Sequence, residues 1–235
     1  MIKIPNARYF ILLLSVIHLL HHIYKSNPLR NTKIHCLYFI LYSVLLINIK
    51  VCYAQNDYYL DIDKNDIKVF LKEDPKDNYI EYKAVMQIES IYYDNVVRLF
   101  LDYKNHTKWV YNCIDSYLLK KDKNNTYLYQ SCKSHWPFKK RDFVLNITSK
   151  QIDANTLEVY FTSEKDILSE NESHIRINEF VGKWQLKKEG EKTIITIYSS
   201  FNPKIRLPPF LIEKYASEIP YYTLSNLKYN LLALK

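Results

Sequence analysis

A chain of 235 residues with 48% hydrophobic side chains is long enough to bury a core and too apolar to stay disordered. Its formal charge of +8 invites a nucleic-acid partner, yet residues 1–54 carry six Lys or Arg and no Asp or Glu, leaving 27 basic against 25 acidic side chains over residues 55–235. No remaining basic cluster is dense enough to neutralise a run of phosphates, so no nucleic-acid partner is expected.

Two apolar runs open the chain, residues 9–20 and 37–47, each shorter than the roughly 20 residues a membrane-spanning helix needs. The second follows the basic Arg30 and Lys33 and ends at Cys52-Tyr53-Ala54 before Gln55, an A-x-A-like cleavage pattern. Residues 1–54 are therefore expected to be a targeting segment. Cleavage after Ala54 would place residues 55–235 in the periplasm or outside the cell; retention would make the segment a membrane anchor.

Beyond Gln55, residues 67–71 form a short apolar strand candidate, followed by the turn chemistry of Asp74-Pro75-Lys76-Asp77-Asn78. From Ile80, the residues Tyr82, Ala84, Met86 and Ile88 share one face of a strand and Glu81, Lys83, Gln87 and Glu89 the other. Asp94 is placed to cap a helix in which Val96, Val97, Phe100, Leu101 and Tyr103 recur mainly at three and four residues. Residues 109–119 and 126–134 suggest a hairpin. Centred between Asp122 and Lys123, it sets Cys113 opposite Cys132, which leaves open a cross-strand disulfide or two separate reduced thiols.

The most distinctive stretch is Trp136-Pro137-Phe138-Lys139-Lys140-Arg141-Asp142-Phe143-Val144-Leu145. Pro137 cannot donate to a ladder, so the preceding strand must end, and Phe143, Leu145 and Ile147 then share one face. Strands over 142–150, 156–162, 174–186 and 192–201, joined by polar connections, predict an antiparallel meander. Alternation slips at Asn178-Glu179, predicting a bulge, and Gly182 leaves room for a close neighbour. Pro208-Pro209 then opens a long helical pattern carrying Leu211, Tyr215, Ile219, Tyr222, Leu224, Leu227 and Leu231. Pro220 predicts a kink or break inside it.

Reaction chemistry finds little support. With Gly182 and Gly190 the only glycines, no phosphate-cradling loop, dinucleotide fingerprint or G-x-S-x-G elbow can be written. His106, His135 and His174 match no metal-ligand spacing, and Ser134 and His135 are neighbours whose side chains diverge in a strand. Arg141-Asp142 is a candidate site, but the pair better suits a structural ion pair or backbone anchor at a strand entry. No catalytic residue, metal or cofactor is expected.

In order and spacing, Trp136-Pro137 followed by Arg141-Asp142-Phe143-Val144 resembles the linker between the fifth and sixth strands of StAR-related lipid transfer (START) domains, and the chain is similar to bacterial-type members. Gly182-Lys183-Trp184-Gln185-Leu186 and the segment from Asn202-Pro203 to Pro208 follow in the family's order, so the resemblance spans residues 66–232. It implies an α+β helix-grip fold, a curved antiparallel sheet closed by a long C-terminal helix. It also implies a hydrophobic tunnel that holds one lipid beneath a lid of helix and loops. The expected lining is Phe143, Leu145 and Ile147 on one strand and Val159 and Phe161 on the next. Ile177 and Ile197 come from later strands, and Leu211, Tyr215, Ile219 and Tyr222 from the helix.

Sterol-binding members place an arginine six residues after the first residue of the Arg-Asp pair; here that position is Ile147, which argues against a sterol clamp. Tyr160, Tyr198, Tyr215 and Tyr222 offer cation–π recognition of a choline head group. The expectation is thus an exported, monomeric, non-enzymatic carrier of a lipid or other apolar small molecule, with transient membrane contact. Two alternatives stand beside it. One is a polyketide cyclase-like enzyme using Asn146 or Thr148, and the other is a membrane-tethered interaction module.

Overall fold

Period-two alternation organises most of the chain beyond Tyr58, and the computed structural model turns it into one ten-stranded sheet. The structure describes residues 58–233 apart from 74, 90, 123–124 and 135–137. Both apolar runs at the front, the cleavage pattern at Ala54, and Trp136-Pro137 lie outside the described residues.

β1 (Tyr58–Lys64), β2 (Ile67–Lys72) and β3 (Ile80–Glu89) lead into helix α1 (Tyr93–Leu101) and a 3₁₀ helix (Tyr103–Lys108). β4 (Cys113–Lys121), β5 (Thr126–Cys132), β6 (Lys140–Asp153) and β7 (Thr156–Ser163) follow. β8 (His174–Arg176), β9 (Phe180–Glu189), β10 (Lys192–Phe201) and helix α2 (Pro209–Leu232) complete the chain. The spatial order is β1-β2-β3-β10-β9-β7-β6-β5-β4, so the expected meander runs from β4 to β10 and β3 docks on its last strand. The architecture is the expected curved antiparallel sheet closed by a C-terminal helix.

β1 carries little apolar signal because most of its side chains are exposed, and the sequence pattern alone passed over it. It pairs with β2 through a two-residue turn, Asn65-Asp66, with φ of 57° and 63°. Two left-handed residues make the mirror-image hairpin turn whose twist matches that of the flanking strands.

Three local expectations need correction. Tyr92, not Asp94, precedes the first turn of α1, while the Asp94 carboxylate lies inside that turn, where the helix dipole favours a negative charge. The strand expected from Trp109 begins at Cys113, because residues 103–108 wind into the 3₁₀ helix and Asn112 takes a left-handed φ of 58°. The strand expected over 174–186 is broken rather than bulged. β8 pairs in parallel with the first residues of β6, and β9 enters the meander beside β7. Of the kink or break expected at Pro220, a break does not occur: the residue lies buried inside α2, which runs on through it.

The break before β9 has a cause in the fold. Arg176 Nε and Nη2 donate to Asp142 Oδ1 and Oδ2 at 3.1 and 2.9 Å, and both side chains are only 1% exposed. Arg176 also donates from Nη1 to the Leu168 carbonyl (2.9 Å) and from Nη2 to the Ser169 carbonyl (3.3 Å), fastening the connection after β7. A fork-to-fork pair of this kind fixes β8 against β6, which takes it off the path of β9. Arg141 does not share in it: adjacent strand residues face opposite sides.

The core lies between the sheet and α2. Leu224, Leu227 and Leu231 are fully buried against a cluster that includes Ile67, Val69, Ala84 and Met86. Burial of this kind stabilises by about 1.5–3 kcal/mol per leucine, so the second half of α2 is the anchored half. The close neighbour expected at Gly182 is Phe161, across the β7–β9 ladder: a Cβ on Gly182 would stand 2.2 Å from its Cζ and 2.6 Å from the Tyr198 carbonyl oxygen.

Candidate functional site

Between the sheet, the 3₁₀ segment, the 202–208 connection and the first half of α2 lies a cavity of about 240 Å³. β6 contributes Phe143, Leu145 and Ile147, and β7 contributes Val159 and Phe161, as their alternation requires. Tyr215, Ile219 and Thr223 on α2 cover it at a spacing of four residues. The 202–208 connection presents Pro203, Ile205 and Leu207 to the cavity and leaves Lys204 and Arg206 exposed.

Seven of the eleven expected lining residues therefore meet at one site: Phe143, Leu145, Ile147, Val159, Phe161, Tyr215 and Ile219. The other four stand elsewhere. Ile177 is fully buried just past the β8–β9 break, where its backbone N–H donates to the Asp142 carbonyl. Ile197 packs in the core in register with Ala84 and Trp184. Leu211 is half-buried in the first turn of α2. Tyr222 is 42% exposed and stacks on Tyr111, because the row from Tyr215 through Ile219 continues to Thr223 and turns its neighbour outward.

The sequence did not reveal the aromatic walls. Phe180 touches Phe143, Phe161 and Phe201 at centroid distances of 5.1 to 5.3 Å, joining three strands and the end of β10 into one face. A second aromatic group, Phe100, Trp109 and Trp184, also lines the cavity, with Phe100 5.0 Å from Trp184 and Trp109 5.8 Å from it. Such tilted and edge-on pairs add about 0.5–1.5 kcal/mol each beyond their burial.

A buried polar chain interrupts this wall. His106 Nε2 lies 2.7 Å from the Phe100 carbonyl and Nδ1 lies 3.0 Å from Gln130 Nε2. The carbonyl can only accept, so Nε2 carries the proton, and Nδ1 accepts from the Gln130 amide. Gln130 Nε2 also donates to Ser116 Oγ (3.3 Å), which donates to the Tyr103 carbonyl (2.6 Å). Burial pushes the His106 pKa down to about 4, against a smaller upward pull from the Phe100 carbonyl, so the ring is neutral at pH 7.

At another part of the wall, Arg141 faces the cavity beside Cys132 and Ser134. It shares the parity of Phe143, Leu145 and Ile147, a signal the period-two rule contains. Cys132 is opposite Arg141 on β6 and opposite Cys113 on β4, as the hairpin register anticipated; both thiols are free. The hydrogen bond to Cys113, then burial, raises the Cys132 thiol pKa.

Asn146 and Thr148 do not line the cavity: Asn146 Nδ2 donates to Glu164 at 3.3 Å and Thr148 Oγ1 to Asn125 at 3.4 Å. Of the tyrosines suited to a choline group, only Tyr215 lines the cavity. Tyr160 and Tyr198 instead flank Lys183, each with its ring within 5.8 Å of the ammonium. Among the described residues, no cluster of three His, Cys, Asp or Glu could hold a metal ion.

No family model matches the chain. Over 173 residues it is 25% identical to an uncharacterised protein of Pseudomonas aeruginosa, covering 73% of this chain and 85% of that protein. Its fold is similar to that of a StAR-related lipid transfer protein fragment from Xanthomonas axonopodis, with a TM-score of 0.68 at 23% identity over 75% of this chain and 99% of the other. Human StAR-related lipid transfer protein 5 superposes with a TM-score of 0.65 at 13% identity, over 83% of this chain and 97% of the human one. From β1 to α2, the chain has the START helix-grip fold, bacterial examples of which include the Xanthomonas protein.

Proposed function

We propose that this protein holds one lipid or other apolar small molecule in the cavity and carries it between membranes without changing it chemically. The observation that carries this reading is a space of about 240 Å³ walled by phenylalanine, leucine, isoleucine and tryptophan side chains inside a START fold. Each methylene that moves from water into it contributes about 0.8 kcal/mol, so even a modest acyl chain is held firmly. The lipid transfer proteins of Xanthomonas axonopodis and of humans, sharing this fold, support the same reading.

The route in and out runs past the 202–208 connection and the start of α2. Phe210 is 65% exposed there, with Lys204, Arg206 and Lys214 exposed nearby in sequence. An aromatic side chain among cations suits brief contact with an anionic membrane surface. Export, with cleavage after Ala54, would set this exchange in the periplasm or outside the cell; N-terminal sequencing of the mature protein should begin at Gln55. An enzymatic role for Asn146 or Thr148 gains no support, since both are engaged away from the cavity.

Native mass spectrometry after gentle purification tests the main reading. A co-purifying apolar molecule bound one to one is the expected result. A ligand-free protein that also takes up no lipid from mixed vesicles would overturn it.

A further inference from the structure

Arg141 is a cation on the wall of a largely apolar cavity, and no carboxylate among the described residues pairs with it. Its sequence neighbour Asp142 is turned to the opposite side of β6 and taken by Arg176. Arg141 Nη1 donates to Ser134 Oγ (3.0 Å) and to the Lys139 carbonyl (2.6 Å), and among the described residues Nη2 and Nε make no hydrogen bond. Tyr215, on α2, lines the same cavity, while Glu218 on the same helix is paired with Lys214 at 3.8 Å.

Burial lowers the Arg141 pKa from its ordinary value, offset in part by Tyr215; the Phe138 ring, 5.8 Å from the guanidinium carbon, faces the charge but is no counter-ion, so part of the desolvation cost remains. A wholly apolar ligand leaves that cost in place. An anion removes it, and a guanidinium presents two parallel donors to a carboxylate or phosphate. The volume narrows the choice further: about 240 Å³ lies below the roughly 300–1,000 Å³ of sites for drug-sized ligands, which suits one chain better than two.

We propose that the cargo is a single-chain amphiphile with an anionic head, a carboxylate or a phosphate, seated on Arg141 beside Ser134 and Tyr215, its tail lying along Phe143, Leu145 and Ile147. This assignment rests on the cavity being a ligand site, as argued above. Ser134 and Tyr215 add hydroxyl donors at the head, and Lys133, also on the cavity lining, adds a second positive charge.

Calorimetric titration of the full chain with dodecanoate, dodecyl phosphate and dodecanol separates the two claims. Both anions should bind about tenfold or more tightly than dodecanol, the gain of a charge-assisted hydrogen bond, and the tighter of the two identifies the head. Arg141→Met should lose about tenfold or more for the anions and leave dodecanol unchanged, whereas Arg141→Lys, keeping the charge without the fork, should retain a reduced preference. Should Arg141→Met fail to fold by its thermal melt, the wild-type and Arg141→Lys preferences decide. Equal affinity of the wild type for dodecanol and the anions, or an equal loss for all three in Arg141→Met, overturns the anionic head and leaves the cavity as an apolar site. Failure of all three to bind removes the cavity reading and the head assignment with it.

Discussion

Arg176→Met should be among the most damaging single substitutions in the domain, although it touches neither α2 nor the cavity. It strips Asp142 of a partner that meets both carboxylate oxygens, at 3.1 and 2.9 Å, where each side chain is 1% exposed. An uncompensated buried carboxylate costs about 3–5 kcal/mol, far above the 0–1 kcal/mol of an exposed pair. For a domain of this size, about 2–4 °C of Tm accompanies each kcal/mol, so the melt should fall by about 6–20 °C. Asp142→Leu combined with Arg176→Met removes both charges at once and should recover most of the loss, since buried pairs replaced by apolar side chains are often neutral. Urea unfolding followed by circular dichroism, with a double-mutant cycle, measures both effects. A single variant within about 1 kcal/mol of wild type, or a double variant no better than the single, would refute the assigned role of the pair.

Gly182→Ala sets a methyl 2.2 Å from Phe161 Cζ and 2.6 Å from the Tyr198 carbonyl, so a loss of about 1–3 kcal/mol is expected in urea unfolding. Adding Phe161→Leu should restore only part of it, because the carbonyl stays where it is. His106 has a folded pKa of about 4 against 6.5 in the unfolded chain, so the unfolded state takes up the proton first as pH falls. Stability from this group is complete above pH 6.5 and drains away toward pH 4, by about 3 kcal/mol; His106→Gln should flatten that part of the profile, and parallel urea-midpoint slopes in the two proteins would contradict it. Leu145→Trp extends into open space and should cost less than about 1 kcal/mol, whereas Ile195→Phe, in the packed core, should cost about 1–3 kcal/mol. In native mass spectrometry, the Leu145→Trp protein should have lost its bound molecule.

The parts of the site legible in the sequence are those governed by a local period. Phe143, Leu145 and Ile147 declare a shared face by spacing alone, and so do Val159 and Phe161. Tyr215 and Ile219 are found by helical spacing, but choosing between Tyr222 and Thr223 needed the rotation of α2 about its axis, which packing at Leu224, Leu227 and Leu231 decides. Ile177 was misplaced because the Asp142–Arg176 pair breaks the strand just before it, a contact between residues 34 positions apart. Phe180, Trp109, His106 and Gln130 are brought together only by tertiary structure, and no spacing rule joins them. Arg141 shares the parity of Phe143, but sequence does not tell which member of the Arg141-Asp142 pair faces the cavity and which is taken by a distant partner, Arg176.

The grip of α2 on the sheet is uneven along its length. Leu224, Leu227 and Leu231 have no exposed surface, while Leu211 and Ile212 are half-buried and Phe210 stands in solvent. Between the two ends sits Pro220, which lacks an N–H to give to the turn before it. Lifting the first turns therefore uncovers chiefly the cavity that Tyr215 and Ile219 cover, whereas withdrawing the last turns would tear open the core. Any traffic through the cavity would swing the amino-terminal half of α2 like a gate hung at Pro220, with its carboxy-terminal half as the post.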